Sequence, residues 1–321
     1  MGRYLARRLG FALLLVFVVS SAALLLTRLA PGDFATGQGL DLDTASRARL
    51  RVDLGLDRPL AEQYLAWLRG VAHFDFGTSL LYSRPVSVIL GERAANTAIL
   101  ATLALVLATV IGVPLGIYSG TTTGPGRTFV RALSVIGLSI PPLVGSLALV
   151  FLAARTGWFP VGGMTSSGGM DLTWSAWIAD LARHLPIPAL ALAIPMAASL
   201  ERLQSESIQS AITEPFVAAS EARGVDRRRA ILRHAWPVSL RPVLGLYGVM
   251  IGSLFSGSFI VEVVTSWPGL GRLMFDALKA RDLFLVAGCA AAGALFLAAG
   301  TMIADMLLAF TDPRVGSGER A

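Results

Sequence analysis

Residues 94–126 read AANTAILATLALVLATVIGVPLGIYSGTTTGPG and contain no charged side chain. A helix that crosses the hydrocarbon core of a membrane needs about 20 apolar residues, at a rise of about 1.5 Å per residue. A charged residue near the centre of such a helix costs about 2.5–3.5 kcal/mol. The run is therefore long enough for one membrane-spanning helix followed by a turn.

Similar runs lie on both sides of this stretch, in a chain that is 54% hydrophobic and 15% charged. Soluble proteins usually carry about 25% charged residues. The sequence therefore predicts an all-α integral membrane protein with six transmembrane helices. The other five runs are residues 9–27, 132–154, 185–200, 242–261 and 283–304.

Two of these runs need further argument. Arg7 and Arg8 precede the first run, as in a signal peptide, but the run is longer than a signal-peptide core of about 7–15 residues. We therefore expect an uncleaved first span. The run at 185–200 is short, so it spans a membrane only if its helix continues beyond Leu200.

The distribution of arginine and lysine predicts the orientation of the chain. With a cytoplasmic N-terminus, the predicted inner segments hold 14 basic residues, against five in the two short outer segments, 155–183 and 262–282. The outer segment 28–93 holds eight more, but long segments cross the membrane largely regardless of charge. We therefore expect both termini in the cytoplasm. The inner segments are 1–8, 119–131, 201–241 and 311–321.

The long outer segment is predicted to fold. Pro59 is a suitable first-turn residue, and apolar residues follow it at helical spacing. This pattern predicts a helix with one face packed on the membrane domain or on an external partner. The residues of that face are Leu60, Tyr64, Trp67, Leu68 and Val71.

The segment between the fourth and fifth spans reads TEPFVAASEARGVDRRRAILRHAWPVSLRP from Thr213. Two helical stretches, 216–223 and 226–235, are separated by Gly224, which permits the positive φ of a tight turn. Pro237 ends the second stretch or begins the next helix. From 221 to 241 the net charge is +4, as in any inner loop beside anionic lipid. Charge alone does not require the small residues Ala218–Ser220.

This spacing resembles the cytoplasmic coupling loop of ABC importer permeases. That pattern is Glu-Ala-Ala, three residues, Gly, nine residues, then Ile-x-Leu-Pro. Here Ala218 replaces the acid, His234 the isoleucine and Trp236 the leucine, as is typical of the peptide/nickel branch of the family. Other stretches resemble that branch in the expected order: YLARRLGFALLL (4–15), LAPGD (29–33), LGLDRPLAEQYLAWLRGVAHFDFGTSL (54–80), SWPGLGRLMFDALKARD (266–282) and TDPRV (311–315).

The resemblance implies the type I ABC importer permease fold. It implies a first transmembrane segment at 1–30, an external segment at 31–93, a permease domain at 94–310 and a cytoplasmic tail at 311–321. The coupling loop within the permease domain is 206–241. The implied location is the bacterial cytoplasmic (inner) membrane.

The implied partners are a second homologous permease subunit, two cytoplasmic P-loop ATPases and an external solute-binding protein. Membrane lipid surrounds the chain, and no nucleic acid is expected. Lys279, the only lysine, lies between Leu278 and Ala280, so no Gly-Lys-Ser/Thr phosphate-binding loop is present. ATP is therefore expected to be used by partner subunits, with no cofactor bound by this chain and no enzymatic activity of its own.

The resemblance assigns the ATPase-coupling role to one set of residues. The first short helix would lie in a groove of the ATPase, with Ala219, Ser220 and Gly224 permitting close approach. The arginines would pair with acids or with a phosphate-proximal surface of that partner. The whole set is Ala218, Ala219, Ser220, Arg223, Gly224, Arg227, Arg228, Arg229 and Pro237.

A second set is predicted along the transport pathway. Prolines break helices, and broken helices often line cavities, so Pro141, Pro142 and the prolines at 186, 188 and 195 mark the third and fourth spans. Glu262 either contacts an external partner or substrate, or fixes the end of its helix before the turn formed by Trp267, Pro268 and Gly269. Asp305 is predicted to be a structural acid.

Two other classes of protein fit this sequence less well. A secondary transporter or channel not driven by ATP also has many spans, but no convincing inverted repeat is present. An enzyme in the membrane needs clustered catalytic groups, whereas His73, His184 and His234 fall in separate segments. The best expectation is an importer permease for peptides or similar small solutes, with nickel as another possible cargo.

Overall fold

The computed structural model describes residues 2–34, 44–53, 57–73, 75–166 and 173–311, and within these ranges the regular structure is helical. A π-helical turn at Ile231–Ala235 joins two of the helices. The α-helices are α1 Gly2–Leu29, α2 Thr44–Asp53, α3 Leu60–Val71, α4 Val86–Thr121, α5 Pro125–Ser139, α6 Pro142–Thr156, α7 Trp174–His184, α8 Pro186–Ile212, α9 Pro215–Ala222, α10 Arg227–Ala230, α11 Trp236–Val264, α12 Leu270–Ala280 and α13 Leu283–Thr311.

Within the described residues, four helical segments are long and apolar enough to cross a membrane. Two bent pairs of helices, α5 with α6 and α7 with α8, raise the number to six if each pair is one span. The prediction of an all-helical protein with several membrane-span candidates is therefore confirmed. The four single segments are Arg7–Leu29, Val86–Thr121, Arg227–Leu254 and Leu283–Ile303.

The third predicted span differs from a single straight helix. Residues 132–154 are divided between α5 and α6, which are bent by 105°. Ile140 has an extended backbone, with φ −85° and ψ 115°, and Pro141 follows it. A residue before proline is disfavoured in the helical region, so the two successive prolines, Pro141 and Pro142, place the break here.

The helix of the fourth predicted span continues past Leu200, as a membrane span there requires, because α8 ends at Ile212. The prediction that Pro195 breaks this helix was wrong, since Pro195 lies inside α8. Pro186 and Pro188 lie in its first turn, where the missing N–H has no helical partner to lose. α7 and α8 are bent by 47° at their junction.

Large apolar side chains are exposed along the span candidates. Leu13 in α1 is 64% exposed, and Phe151 in α6 is 61% exposed. A protein surrounded by water rarely exposes broad apolar surfaces of this kind, whereas lipid requires them.

The chain forms two compact units, the first comprising Met1–Ala98 and Pro268–Phe296. In this unit α3 packs Trp67 against Leu24 and Ala287, and the Tyr64 and Ser21 hydroxyl oxygens lie 3.0 Å apart. The helix predicted after Pro59 is therefore confirmed, and its apolar face packs within the chain.

Asp282 organises another part of the first unit. Its fully buried carboxylate accepts hydrogen bonds from the Ser79 hydroxyl at 2.6 Å and the Leu81 N–H at 3.0 Å. It also accepts the Leu285 N–H at 3.1 Å, at the start of α13. One acid therefore caps a helix and holds the turn before α4.

The second unit comprises Ile99–Trp267 and Leu297–Ala321. Helix α8 contacts α5, α6, α7 and α11 in this unit. It also lies against three glycines of α4 at a spacing of four residues, Gly112, Gly116 and Gly120. A Cβ atom on Gly116 would lie 2.7 Å from the Glu201 backbone oxygen, so the helices approach as closely as only glycine permits.

The substitution Gly116→Ala tests this contact. The added methyl would also lie 2.6 Å from Gln204 Cβ, so we expect the free energy of unfolding to fall by about 1–3 kcal/mol, the usual cost of overpacking. The matched control is Gly245→Ala in α11, where a Cβ atom meets nothing within 4 Å. Thermal unfolding of both variants in detergent measures the effect. Equal melting temperatures for the two would show that the close contact is absent.

Candidate functional site

The segment between α8 and α11 contains the two helical stretches predicted from the sequence. α9 follows Glu214, whose backbone is extended, and has Pro215 in its first turn. Ala218 and Ala219 are exposed, whereas Val217 and Ser220 are 3% and 1% exposed. The small residues therefore divide into an outer alanine face and an inward Ser220. Ser220 does not lie on the surface that a docked partner would meet.

Gly224 ends α9 with a φ of +87°. Its N–H donates to the Glu221 carbonyl at 2.9 Å, and the Val225 N–H donates to the Ser220 carbonyl at 3.2 Å. A Cβ atom on Gly224 would meet nothing within 4 Å. Backbone conformation, rather than lack of space, therefore requires glycine here.

The inner face of the segment is attached to the end of α8. Val217 of α9, Ala230 of α10 and Ala235 of the π-helical turn pack with Ile208 and Ala211 of α8 in one buried cluster. This buried cluster therefore attaches α9 and α10 to α8 by side-chain packing.

The outer face of the segment is cationic. Arg223, Arg227, Arg228 and Arg229 are all exposed. Arg227 Nη1 lies 3.4 Å from Glu221 Oε1, an exposed ion pair that stabilises the fold little. Asp226 accepts the Arg228 N–H at 3.1 Å and so caps α10. The arginine side chains are therefore available to a partner with acidic groups.

Pro237 does not interrupt the chain's helical path. It lies in the first turn of α11, directly after the π-helical turn Ile231–Ala235. Proline has no N–H to donate to a carbonyl of the preceding turn. The turn that precedes Pro237 is π-helical, so the regular α-helical hydrogen bonds are already interrupted there. Such turns occur often at functional sites. Apart from Pro237, the sequence carries no signal for this turn.

A cleft of about 290 Å³ lies beside the α5–α6 break in the second unit. Pro142 lines it, whereas Pro141 does not. Its polar groups are the Ser199 hydroxyl, which donates to the Pro195 carbonyl at 3.0 Å, and the Ser253 hydroxyl, which donates to the Met250 carbonyl at 2.9 Å. The cleft is otherwise lined by Leu138, Ala191, Leu192, Pro195, Met196, Leu246, Val249, Met250, Leu254 and Gly257.

The residues around Glu262 are turned inward. Glu262 and Trp267 are fully buried, and the Trp267 N–H donates to the Glu262 carbonyl at 2.9 Å. In the first unit, the Pro268 carbonyl accepts from Asn96 Nδ2 at 2.8 Å, and Gly269 is also buried. This placement favours a helix-end role for Glu262 over contact with an external partner.

Asp305 lies in α13, but its side chain is outside the described residues. No group of three His, Cys, Asp or Glu side chains that could hold a metal ion occurs in the part of the chain that the structure describes. The single cysteine, Cys289, is buried.

Two buried polar residues of α8 were missed by the sequence analysis. Glu201 is 2% exposed and its carboxylate accepts a short hydrogen bond from the Ser119 hydroxyl of α4. Gln204 is fully buried, and its Nε2 donates to Ser239 Oγ of α11 at 2.8 Å. The sequence signal that could have found them is the spacing of four residues between the glycines of α4. Glycines at that spacing indicate a close contact with another helix, and Glu201 and Gln204 lie at that contact.

Comparison with known proteins identifies the family of the chain. Residues 112–317 match the family described as "Binding-protein-dependent transport system inner membrane component", and residues 1–98 match its N-terminal counterpart, "Binding-prot-dependent transport system membrane comp, N-term". The chain is 31% identical to the oligopeptide transport system permease protein AppB of Bacillus subtilis (strain 168), over 98% of this chain and 99% of the relative.

Two further relatives cover nearly the same length. A putative peptide transport system permease protein of Brucella abortus (strain 2308) is 33% identical, over 96% of this chain and 97% of the relative. A probable peptide ABC transporter permease protein of Sinorhizobium fredii is 31% identical, over 98% and 99%. The chain therefore belongs to the family of binding-protein-dependent transport system inner membrane components.

Proposed function

We propose that this chain is the permease subunit of an ATP-driven importer that moves peptides across the bacterial inner membrane. The observation that carries the proposal is the segment α9–Gly224–α10, which is packed on α8 and presents exposed alanines and arginines outward. The relatives that match over nearly their whole length are named as peptide or oligopeptide permeases, which supports peptide cargo.

The proposed topology treats each bent pair of helices as one span. Six spans then place both termini on the cytoplasmic side, which agrees with the excess of arginine in segments 119–131 and 201–241. This arrangement corresponds to the type I importer permease fold. The coupling segment then faces the cytoplasm, where ATP is available.

The coupling step is proposed to be mechanical. A partner ATPase would contact the exposed face of α9, where Ala218 and Ala219 leave room for close approach. The arginines at 223, 227, 228 and 229 would pair with acidic groups of that partner. When two such ATPases close on ATP, the docked segment would carry α8 with it, because Ile208 and Ala211 pack against the segment.

The transport pathway is proposed to include the cleft at the α5–α6 break. Non-helical backbone at membrane depth is tolerated where it is buried in protein or lines an aqueous cavity. The cleft is mainly apolar, with two serine hydroxyls, and its lining residues carry no charge. Such a surface suits cargo of varied side chains, with a second homologous permease forming the opposite wall and an external solute-binding protein selecting the peptide.

The substitution Gly224→Val tests the coupling role. A β-branched residue at this φ is strained by about 1–2 kcal/mol, so the hydrogen-bonded turn after α9 should be destabilised. We expect ATPase co-purification and uptake of a labelled oligopeptide to fall about tenfold, while the chain still inserts in the membrane. Uptake is measured in cells, and co-purification from their membranes.

The matched control is Gly124→Val, between α4 and α5. Gly124 has a φ of +96° and a ψ of −165°, a conformation open essentially only to glycine, and a Cβ atom there also meets nothing within 4 Å, so valine is strained at this position too. We expect this variant to retain ATPase co-purification. Unchanged uptake and co-purification in Gly224→Val would contradict the coupling role. Uptake without any ATPase would instead favour a secondary transporter or channel.

The substitution Ser253→Phe tests the pathway. Ser253 is exposed and lines the cleft, so a phenyl ring should narrow the passage without disturbing buried packing. We expect peptide uptake to fall sharply while ATPase co-purification is retained. Ala148→Phe, at an exposed position of α6 that does not line the cleft, serves as the control. Equal uptake by the two variants would place the pathway elsewhere.

A further inference from the structure

One face of α8 continues from the uncharged cleft beside the α5–α6 break to a charged cleft. Pro195 and Ser199 line the first cleft, and Arg202 and Glu206 line the second. These four residues follow one another at spacings of four, three and four, so they lie on one side of the helix. A rise of about 1.5 Å per residue places Glu206 about 10 Å beyond Ser199, towards the coupling segment.

Helix α5 shows the same continuity. Leu138 lines both clefts, and Ser134 and Arg131, which also line the charged cleft, lie one and two turns before it. Arg127, a further turn away, donates from Nη2 to Gln209 Oε1 of α8 at 3.0 Å. The charged cleft, of about 240 Å³, therefore lies on the side of the proposed pathway and nearer to the coupling segment.

Two guanidinium groups of the charged cleft have hydrogen-bonding capacity left. Arg131 is exposed, and no ion pair to it occurs among the residues that the structure describes. Arg202 Nε lies 3.4 Å from Glu206 Oε1, and both side chains are more than 60% exposed, so this pair is weak. The contact uses Nε and leaves both Nη groups for another partner. The second acid of the cleft, Glu201, is 2% exposed and already accepts from Ser119.

A transported peptide carries one group that suits these arginines whatever its sequence. Its C-terminal carboxylate, with a pKa of about 3.5, is ionised at neutral pH. The uncharged cleft offers this group only serine hydroxyls, and a carboxylate that loses water without a partner is costly. Guanidinium groups bind a carboxylate through parallel charge-assisted hydrogen bonds. The first such groups along this face of α8 are those of the charged cleft.

We propose that Arg131 and Arg202 bind the C-terminal carboxylate of the peptide as it leaves the uncharged cleft for the cytoplasm. The inference rests on the proposed peptide import. Glu206 competes for Arg202, so the carboxylate is held weakly enough to be released, as passage through a pathway requires. The peptide leaves by a wider cleft of about 590 Å³, which Glu206 also lines and which reaches Glu214 and Phe216 at the start of the coupling segment.

Uptake of two forms of one peptide tests the proposal in cells that carry the complete transporter. The probes are a labelled tripeptide with a free carboxylate and its C-terminal amide. In the double variant Arg131→Gln/Arg202→Gln, initial uptake of the free acid should fall about fivefold, the upper range for exposed charge pairs, while uptake of the amide is unchanged. All variants use the same solute-binding protein, so any preference of that protein cancels in the comparison.

The matched control is Arg155→Gln, an exposed arginine of α6 outside the charged cleft. It should retain the ratio of the two uptake rates. An unchanged ratio in the double variant would overturn the proposal. So would an equal fall for both peptides in a double variant that still co-purifies with the ATPases, because the arginines would then pair with a fixed acid, such as one of a second permease subunit.

A second measurement does not depend on the variants. A tripeptide that ends in benzoylphenylalanine is photo-cross-linked to the unaltered transporter, and we expect adducts within residues 131–138 or 199–206. Adducts confined to other segments would overturn the proposal, even if the double variant failed to assemble. If the chain did not import peptides, uptake of both probes would equal that of cells without the chain, and the proposed function would fall together with this inference.

Discussion

The close contact between α4 and α8 sets the geometry of the second unit. Gly112, Gly116 and Gly120 offer no side chains, so the backbone of α8 lies directly against α4. In lipid, apolar side chains gain little from meeting each other, and close van der Waals packing must hold helices together instead. The Glu201–Ser119 hydrogen bond, buried at this contact, adds a polar link whose two partners fix the rotation of the helices.

Helix α8 connects the features on which function depends. In the middle of α8, Pro195 and Ser199 line the cleft beside the α5–α6 break. Further along, Ile208 both faces Gly120 of α4 and packs with Val217 and Ala230 of the coupling segment. Because the same residue belongs to the helix contact and to the buried cluster, displacement of the segment by a partner would reach the cleft through a stiff helix.

The sequence was most informative where one physical rule dominates. Uncharged runs predicted the apolar helices, and Gly224 predicted the turn after α9, because only glycine adopts that φ without strain. It was less informative where neighbours decide the outcome. Pro195 stays within α8 since one lost hydrogen bond is tolerated in a packed helix, and Ser220 faces inward because α9 packs on Ile208 and Ala211. The two prolines predict where α5 ends and α6 begins. The 105° angle between the two helices is set by tertiary packing, which the sequence does not show.

The central claim is that the outer face of α9 meets a partner ATPase. The most direct measurement is photo-cross-linking from a benzoylphenylalanine residue placed at the exposed position 219, in native membranes, followed by identification of the attached protein. The account predicts a cross-link to a P-loop ATPase that is absent when the same group is placed at the exposed position 148. A chain that forms no ATPase adduct at 219, while its uptake continues without ATP, would contradict the account.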